Sequence, residues 1–278
     1  MKQLVLVLAT CAACSPAMRD PGSGVDASGG GSDGGSGSGS GIDAPPGPDA
    51  SRVYAQSAGT LYRVDTGTFA ETQIGAFTGI SGDVTDIAVD KNGAMVAITN
   101  STLYAVDPAT AKGTQIKKLG STVTDFTGLG YVPDPSNTSS DLLVTANAGG
   151  DVYSIDPATG NGTKIGNYGK LSGNQIGSSG DIFGVRGFGI YATVTVAGKT
   201  NDYLAEIDPQ TWTATVRPSD TGFQNIYGLG FWAGDIYGFD DAGDVIKIDK
   251  TTGMGAKMDN NTIVWWGAGV TTNAPIIQ

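Results

Sequence analysis

Three aspartates and one asparagine recur at one position of a sequence repeat, just before the first strand of four repeat units. These residues are Asp83, Asp125, Asp181 and Asn225. If the units are arranged around an axis, their side chains converge at one mouth of the central channel. Oxygen ligands without His or Cys suit a hard cation such as Ca²⁺, or the hydroxyl groups of a sugar. The alternative interpretation is that each residue only starts a turn, through hydrogen bonds between its side chain and the backbone.

Aromatic residues and one arginine lie in the same strands. Tyr227, Trp265 and Trp266 could grip a sugar or a cationic group beside the carboxylates, or they could form the core between repeat units. Most of these strands carry a small residue at a fixed later position, and Arg186 stands there in the third unit. We expect Arg186 either to be the one basic group in the channel or to mark a slip in the alignment. The predicted ligand-binding residues are therefore the four polar residues, these three aromatic residues and Arg186.

The composition excludes several kinds of chemistry. The sequence of 278 residues contains no His, so zinc and copper sites and Ser-His or Cys-His nucleophiles are not expected. A glycosidase needs a pair of carboxylates, and the acid is expected to be a Glu near the axis, whereas Glu71 falls on the outermost strand of its unit and Glu206 on the third. The net charge of −11 repels phosphate, so nucleic acid is not an expected partner.

These observations favour a non-catalytic binding module for a protein or glycan partner. The alternative is a Ca²⁺-dependent, lactonase-like hydrolase in which the Asp/Asn ring holds the metal and activates water. A structural envelope component that assembles through its strand edges or loops is a third hypothesis. No cofactor other than Ca²⁺ is expected.

Strands that end in Asp recur along the chain and define the architecture. They read TLYRVD, TLYAVD, DVYSID, YLAEID and DVIKID, at intervals of 42, 49, 52 and 41 residues. Such a period with many short strands predicts an all-β fold, a β-propeller. Four-stranded blades are expected over about 84–118, 124–166, 181–217 and 225–258. Three strands remain at the front and one, VWWGAGV (264–270), at the end, so their pairing is expected to close a fifth blade.

Other conspicuous motifs are predicted to be scaffold or surface. Asp107 and Asp156, in LYAVDPAT and VYSIDPAT, are expected to start a turn whose next backbone angle is preset by proline. The acidic stretch GFDDAGD (238–244) is expected to be a hairpin turn rather than a calcium loop. The long loops predicted at 133–141 and 167–181 could shape a partner surface.

The stretches LYAVDPATAKGTQI and VYSIDPATGNGTKIG resemble the repeats of bacterial extracytoplasmic β-propellers of the quinoprotein-like and YVTN-like type. The resemblance covers nearly all of 51–278 and implies the propeller scaffold. Repeats of this kind host binding modules, lactonases and dehydrogenases, so the resemblance does not settle the function.

The N-terminus resembles a bacterial lipoprotein signal. The stretch MKQLVLVLATCAACSPAM has one lysine, a short apolar run and small residues before two cysteines. We expect a signal peptide over 1–14 with Cys14 lipidated, Cys11 being the alternative, and an ordinary secretory signal is the other interpretation. A disordered Gly/Ser/Asp/Pro-rich tether over 15–50 would then precede the propeller domain at 51–278. The expected protein is exported and anchored by lipid alone to the cell envelope, in the outer membrane.

Overall fold

The computed structural model describes residues 53–120 and 126–277. The predicted signal peptide with Cys11 and Cys14, the predicted tether and Asp125 lie outside the described residues. The described residues belong to one compact unit and form 21 β-strands. They include no helix that is long and apolar enough to cross a membrane.

The strands are short and follow one another with little intervening chain. In chain order they are β1 (Val53–Gln56), β2 (Thr60–Val64), β3 (Glu71–Ala76), β4 (Asp86–Val89), β5 (Met95–Ile98), β6 (Thr102–Asp107), β7 (Lys112–Lys118), β8 (Phe126–Pro133), β9 (Asp141–Asn147), β10 (Asp151–Ile155), β11 (Gly162–Asn167), β12 (Lys170–Leu171), β13 (Asn174–Val185), β14 (Gly189–Val196), β15 (Tyr203–Ile207), β16 (Ala214–Val216), β17 (Ile226–Trp232), β18 (Asp235–Asp240), β19 (Asp244–Ile248), β20 (Gly255–Asn260) and β21 (Gly267–Val270).

Five antiparallel sheets form the blades of a five-bladed propeller, which confirms the predicted fold. The blades contain β4 to β7, β8 to β11, β12 to β16, β17 to β20, and β21 with β1 to β3. The inner strands β4, β8, β13, β17 and β21 contact one another in this cyclic order, so they surround a central axis. Apolar side chains from adjacent blades pack between the sheets and form the core.

The predicted closure of the ring is also confirmed. The last strand, β21, pairs antiparallel with the first, β1, so that Val270 lies opposite Val53 and Gly267 lies opposite Gln56. The C-terminal strand is therefore the inner strand of a blade whose other three strands come from the N-terminal part of the domain. This pairing removes the open edges that both chain ends would otherwise expose.

The Asp-ending strands run into the turn that the sequence predicts. In the first of the two repeated stretches, an Asp107 carboxylate oxygen accepts a hydrogen bond from the Ala109 amide at 2.9 Å, and the Thr110 hydroxyl donates to the other oxygen at 2.7 Å. The Asp156 turn has the same two bonds. In the acidic stretch, an Asp240 carboxylate oxygen accepts from the Asp244 amide at 2.8 Å, within the hairpin turn between β18 and β19. These aspartates have a scaffold role.

One of the two long-loop predictions, that for residues 167–181, is wrong. Residues 170–185 form a hairpin of β12 and β13, which gives the third blade a fifth strand. Its turn is made by Ser172 and Gly173, both with positive φ angles, which suits a two-residue hairpin turn. The other predicted loop is present between β8 and β9 and is folded back on itself, with the Ser136 amide donating to Asp134 at 2.8 Å.

Candidate functional site

Two buried carboxylates lie at the axis, where the inner strands meet. Asp86 accepts hydrogen bonds from the amides of Ile87 at 2.8 Å and Leu129 at 2.6 Å. Asp181 accepts from the amides of Ile182 at 2.6 Å and Leu229 at 2.9 Å. Each aspartate therefore links the inner strand of its own blade to that of another blade.

These bonds correct the predicted position of Asp181. Asp181 corresponds to Asp86, at the axis, and not to Asp83, which lies three residues earlier and is exposed. The slip arises because β13 begins early, at Asn174, and bulges between Ser178 and Ile182. Asp181 thus lies inside a strand rather than in front of one.

The other members of the predicted ring are placed differently. Asn225 is exposed, has a φ angle of +56° and donates its side-chain amide to Asp241 at 3.0 Å. Among the described residues, no group of three or more His, Cys, Asp or Glu side chains is arranged to hold a metal ion. Both Asp181 oxygens face N–H donors, which is a poor arrangement for a cation ligand. Binding of Ca²⁺ through Asp83, Asp125 and Asn225 stays a prediction.

Burial controls the ionisation of the axial pair. Removal from water raises the pKa of Asp86 well above its usual range, and the neighbouring Asp181 charge raises it further, against the opposing effect of the Ile87 and Leu129 amides. The pKa of Asp181 is likewise raised by burial, against the opposing effect of its own amide donors. The cavity that Asp181 lines has a volume of about 10 Å³, which is room for about one water molecule. The axial carboxylates therefore do not face a ligand-sized space.

Arg186 lies in the turn between β13 and β14. This turn is at the mouth of the channel opposite the one where the Asp/Asn ring is predicted. Its guanidinium donates to Asp141 at 2.5 Å, and the Asp141 carboxylate also accepts from the Lys91 amide at 2.7 Å and from the buried Thr272 hydroxyl at 3.0 Å. Because Thr272 follows β21, this network ties the C-terminal segment across that mouth. Of the two predictions for Arg186, the alignment slip is correct, since Phe183 takes the place of the small residue and stacks on Phe231 at 5.8 Å.

The mouth where the Asp/Asn ring is predicted carries two partly exposed aromatic residues. Tyr227 and Trp266 directly precede Gly228 and Gly267, whose backbones approach each other closely at the axis. Both side chains are half-buried, whereas Trp265 is fully buried and contacts Tyr62 with ring centroids 5.4 Å apart. The predicted aromatic residues thus divide into one core residue and two rim residues. We call Tyr227 and Trp266 the aromatic rim.

Acidic groups lie beside the aromatic rim on the Tyr227 side. Asp202 is buried and accepts from the Ile226 amide at 2.8 Å, next to Tyr227 in the chain. Burial raises the pKa of Asp202, the Ile226 amide opposes this, and the Asp241 charge adds to the rise. The pKa of the Tyr227 hydroxyl is raised by burial and by the charges of Asp241 and Asp202. The arrangement combines aromatic surface with carboxylate and amide oxygens.

Asp86 and Asp202 are the residues that sequence reasoning missed. A signal for Asp86 exists, since Asp86-Ile87 and Asp181-Ile182 are the same dipeptide in equivalent strands. Asp202 follows a turn without a recognisable repeat motif, and the pattern gives no comparable signal for it.

No family model and no curated protein matches the sequence. Among solved structures, the chain is similar to the computationally designed Ika8 protein, with 14% sequence identity and a TM-score of 0.37. The match covers 77% of this chain and 61% of the designed protein. The assignment of the fold rests on the strand pairing described above.

Proposed function

We propose that this protein is an exported, lipid-anchored envelope protein whose β-propeller is a non-catalytic binding module, and that the aromatic rim binds a glycan. The observation that carries the proposal is that two half-buried aromatic residues, Tyr227 and Trp266, precede inner strands at one axial mouth, with Asp202, Asp241 and Asn225 on the Tyr227 side. Aromatic faces pack on the C–H faces of sugar rings, and carboxylate and amide oxygens accept hydrogen bonds from sugar hydroxyls.

The acidic groups beside Tyr227 limit the class of glycan that is expected to bind. Asp241 is exposed, and its charge raises the pKa of both Asp202 and Tyr227, so the local potential is negative. Neutral or amino sugars are therefore expected to bind, and uronic or sialic acids are expected to be repelled. A binding role without catalysis is supported by the axial aspartates, whose oxygens accept from backbone amides beside a cavity of only about 10 Å³.

Binding is tested by titrating the purified full-length chain with soluble oligosaccharides that carry neutral, amino or acidic sugars. Trp266→Ala and Tyr227→Ala are each expected to weaken binding about tenfold, which is about 1.4 kcal/mol. Tyr153→Ala is the matched control, because Tyr153 is half-buried but lies on a middle strand of the second blade. Circular dichroism of each variant checks that the fold is intact.

Two results would contradict the glycan proposal. One is affinity for an oligosaccharide that the two rim variants leave unchanged. The other is the absence of binding across the panel together with capture of a protein partner that survives both rim substitutions.

The lipid anchor is proposed from the sequence of the N-terminus. Cys14→Ser is expected to move the protein from the membrane fraction to the soluble fraction, and Cys11→Ser is expected to leave it in the membrane fraction. The reverse pattern would assign the lipid to Cys11. Release by neither substitution would contradict anchoring through these cysteines.

A further inference from the structure

The inner edge of every blade presents backbone amides to the propeller axis. An inner strand has no partner strand on its axial side, so its N–H groups on that edge need other acceptors. At one level of the axis these are the amides of Ile87, Leu129, Ile182, Leu229 and Ala268, one from each blade.

The two axial aspartates supply the acceptors for this level. Four amides donate to the four carboxylate oxygens at 2.6 to 2.9 Å. The Ala268 amide favours the ionised form of both carboxylates, and the Asp181 charge acts on Asp86, so the two side chains lie near each other at the axis. The two side chains thus join the inner strands of all five blades.

Opposing forces act on the charge of this pair. Backbone amides favour the ionised forms, whereas burial of both groups and the repulsion between them favour a retained proton. Among the residues that the structure describes, Tyr168, on the chain that follows β11, is a further titratable group near Asp181. Burial and the charge of Asp181 raise the pKa of the Tyr168 hydroxyl, so it stays neutral at ordinary pH.

We propose that Asp86 and Asp181 form a proton-operated lock on the propeller axis, which is closed while the pair holds a proton and loosens when both carboxylates are ionised. With one proton retained, the pair carries a single negative charge among five amide dipoles. Loss of that proton places two negative charges together in a buried site, where repulsion is strong. The repulsion acts on the residues that hold the blades together. The lock is independent of glycan binding.

The sign of the pH effect follows from the raised pKa of the two carboxyls. Because the folded state holds a proton that the unfolded chain releases above about pH 4, the contribution of this pair to stability is greatest at low pH and falls as the pH rises. The fall continues until the pH passes the folded-state pKa of the pair. Each proton retained only by the folded state lowers the folding equilibrium constant about tenfold per pH unit.

The test measures unfolding of the full-length chain by denaturant, together with amide hydrogen exchange, at a series of pH values above about 5. For the wild type, we expect the folding constant to fall about tenfold per pH unit over part of this range. The protection factors of the Leu129 and Leu229 amides are expected to fall before those of the outer strands. Asp86→Asn and Asp181→Asn are expected to reduce this dependence, because each leaves one carboxyl without a charged neighbour. Asp83→Asn, an exposed aspartate three residues from Asp86, is the matched control and should behave as the wild type.

A pH dependence that Asp86→Asn and Asp181→Asn leave unchanged would overturn the proposal, as would a folding constant of the wild type that does not fall over this range. A second measurement covers the case in which neither variant folds. In the wild type, the ¹³C carboxyl signals of Asp86 and Asp181 should titrate well above the range of exposed aspartates. Titration of both signals near pH 4, the ordinary aspartate value, would equally overturn the proposal.

Discussion

Replacing Asp141 by alanine should destabilise the propeller more than the loss of any exposed ion pair. The Asp141 side chain is 5% exposed and accepts from the Arg186 guanidinium at 2.5 Å, the Lys91 amide at 2.7 Å and the Thr272 hydroxyl at 3.0 Å. Alanine removes all three acceptor contacts at once. It also leaves Arg186, whose side chain is 25% exposed, without its counter-charge.

The magnitude follows from these contacts. A hydrogen bond to a charged group contributes about 1.5–3 kcal/mol, and each buried donor left without an acceptor adds roughly 1 kcal/mol or more. Counting the Arg186 contact at about 1.5–3 kcal/mol and the Lys91 and Thr272 donors at roughly 1 kcal/mol each gives about 3.5–5 kcal/mol, within the usual cost of about 3–5 kcal/mol for breaking a buried ion pair. A domain of this size loses about 2–4 °C of melting temperature per kcal/mol, so Tm should fall by roughly 6–20 °C.

Thermal and urea unfolding of the full-length chain measure this effect. Asp235→Ala is the control, because the Lys247–Asp235 pair has a similar distance of 2.7 Å but side chains that are 44% and 31% exposed. Its loss should change stability by less than about 1 kcal/mol. In a double-mutant cycle, Arg186→Met should be less harmful when Asp141 is already alanine. Equal destabilisation by Asp141→Ala and Asp235→Ala would refute the role given to this network.

Three further predictions concern close packing, acid stability and metal binding. In Gly130→Ala, the new Cβ would collide with the Ile182 carbonyl oxygen, so we expect the free energy of unfolding, measured in urea, to fall by more than about 4 kcal/mol. In the control Gly59→Ala, the new Cβ has no neighbour within 4 Å, so stability should change by less than about 0.5 kcal/mol. Amide and hydroxyl donors lower the pKa of the Asp107 carboxyl, so the contribution of Asp107 to stability is present above about pH 4 and is lost below. Asp107→Asn should therefore flatten the fall of Tm in acid. An unchanged dependence of Tm on pH in acid would contradict the turn role. If Ca²⁺ binds as the sequence predicts, calorimetry should show a heat that Asp83→Asn abolishes, and no heat would contradict it.

The architecture could be predicted from the sequence because each blade repeats the same pattern of short strands and turns. Alternating strands that end in Asp, small residues such as Gly130 beside the axis, and three strands left at the front with one at the end all point to a closed ring. Gly130 shows why the pattern is informative, since any side chain there would collide with the Ile182 backbone of the next blade. At these positions the local strand pattern and the closure of the ring predict the same structure.

The axial pair could not be located in the same way, because one insertion hides the alignment. The hairpin of β12 and β13 and the bulge before Ile182 move Asp181 out of the position that spacing assigns to it. Spacing therefore grouped Asp181 with the exposed Asp83 and overlooked Asp86. The role of Asp86 depends on an amide from another blade, that of Leu129, and the shared Asp-Ile dipeptide does not by itself reveal such a long-range contact.

The central claim, that the aromatic rim binds a glycan, is tested most directly by NMR of the ¹⁵N-labelled full-length chain during titration with an oligosaccharide of neutral or amino sugars. The chain has four tryptophans, so the indole N–H signals are few enough to assign. We predict that the Trp266 signal shifts with saturation, while the signal of Trp212, which is buried in the third blade, stays in place. Saturable shifts that leave Trp266 and the Tyr227 amide unmoved would contradict the claim.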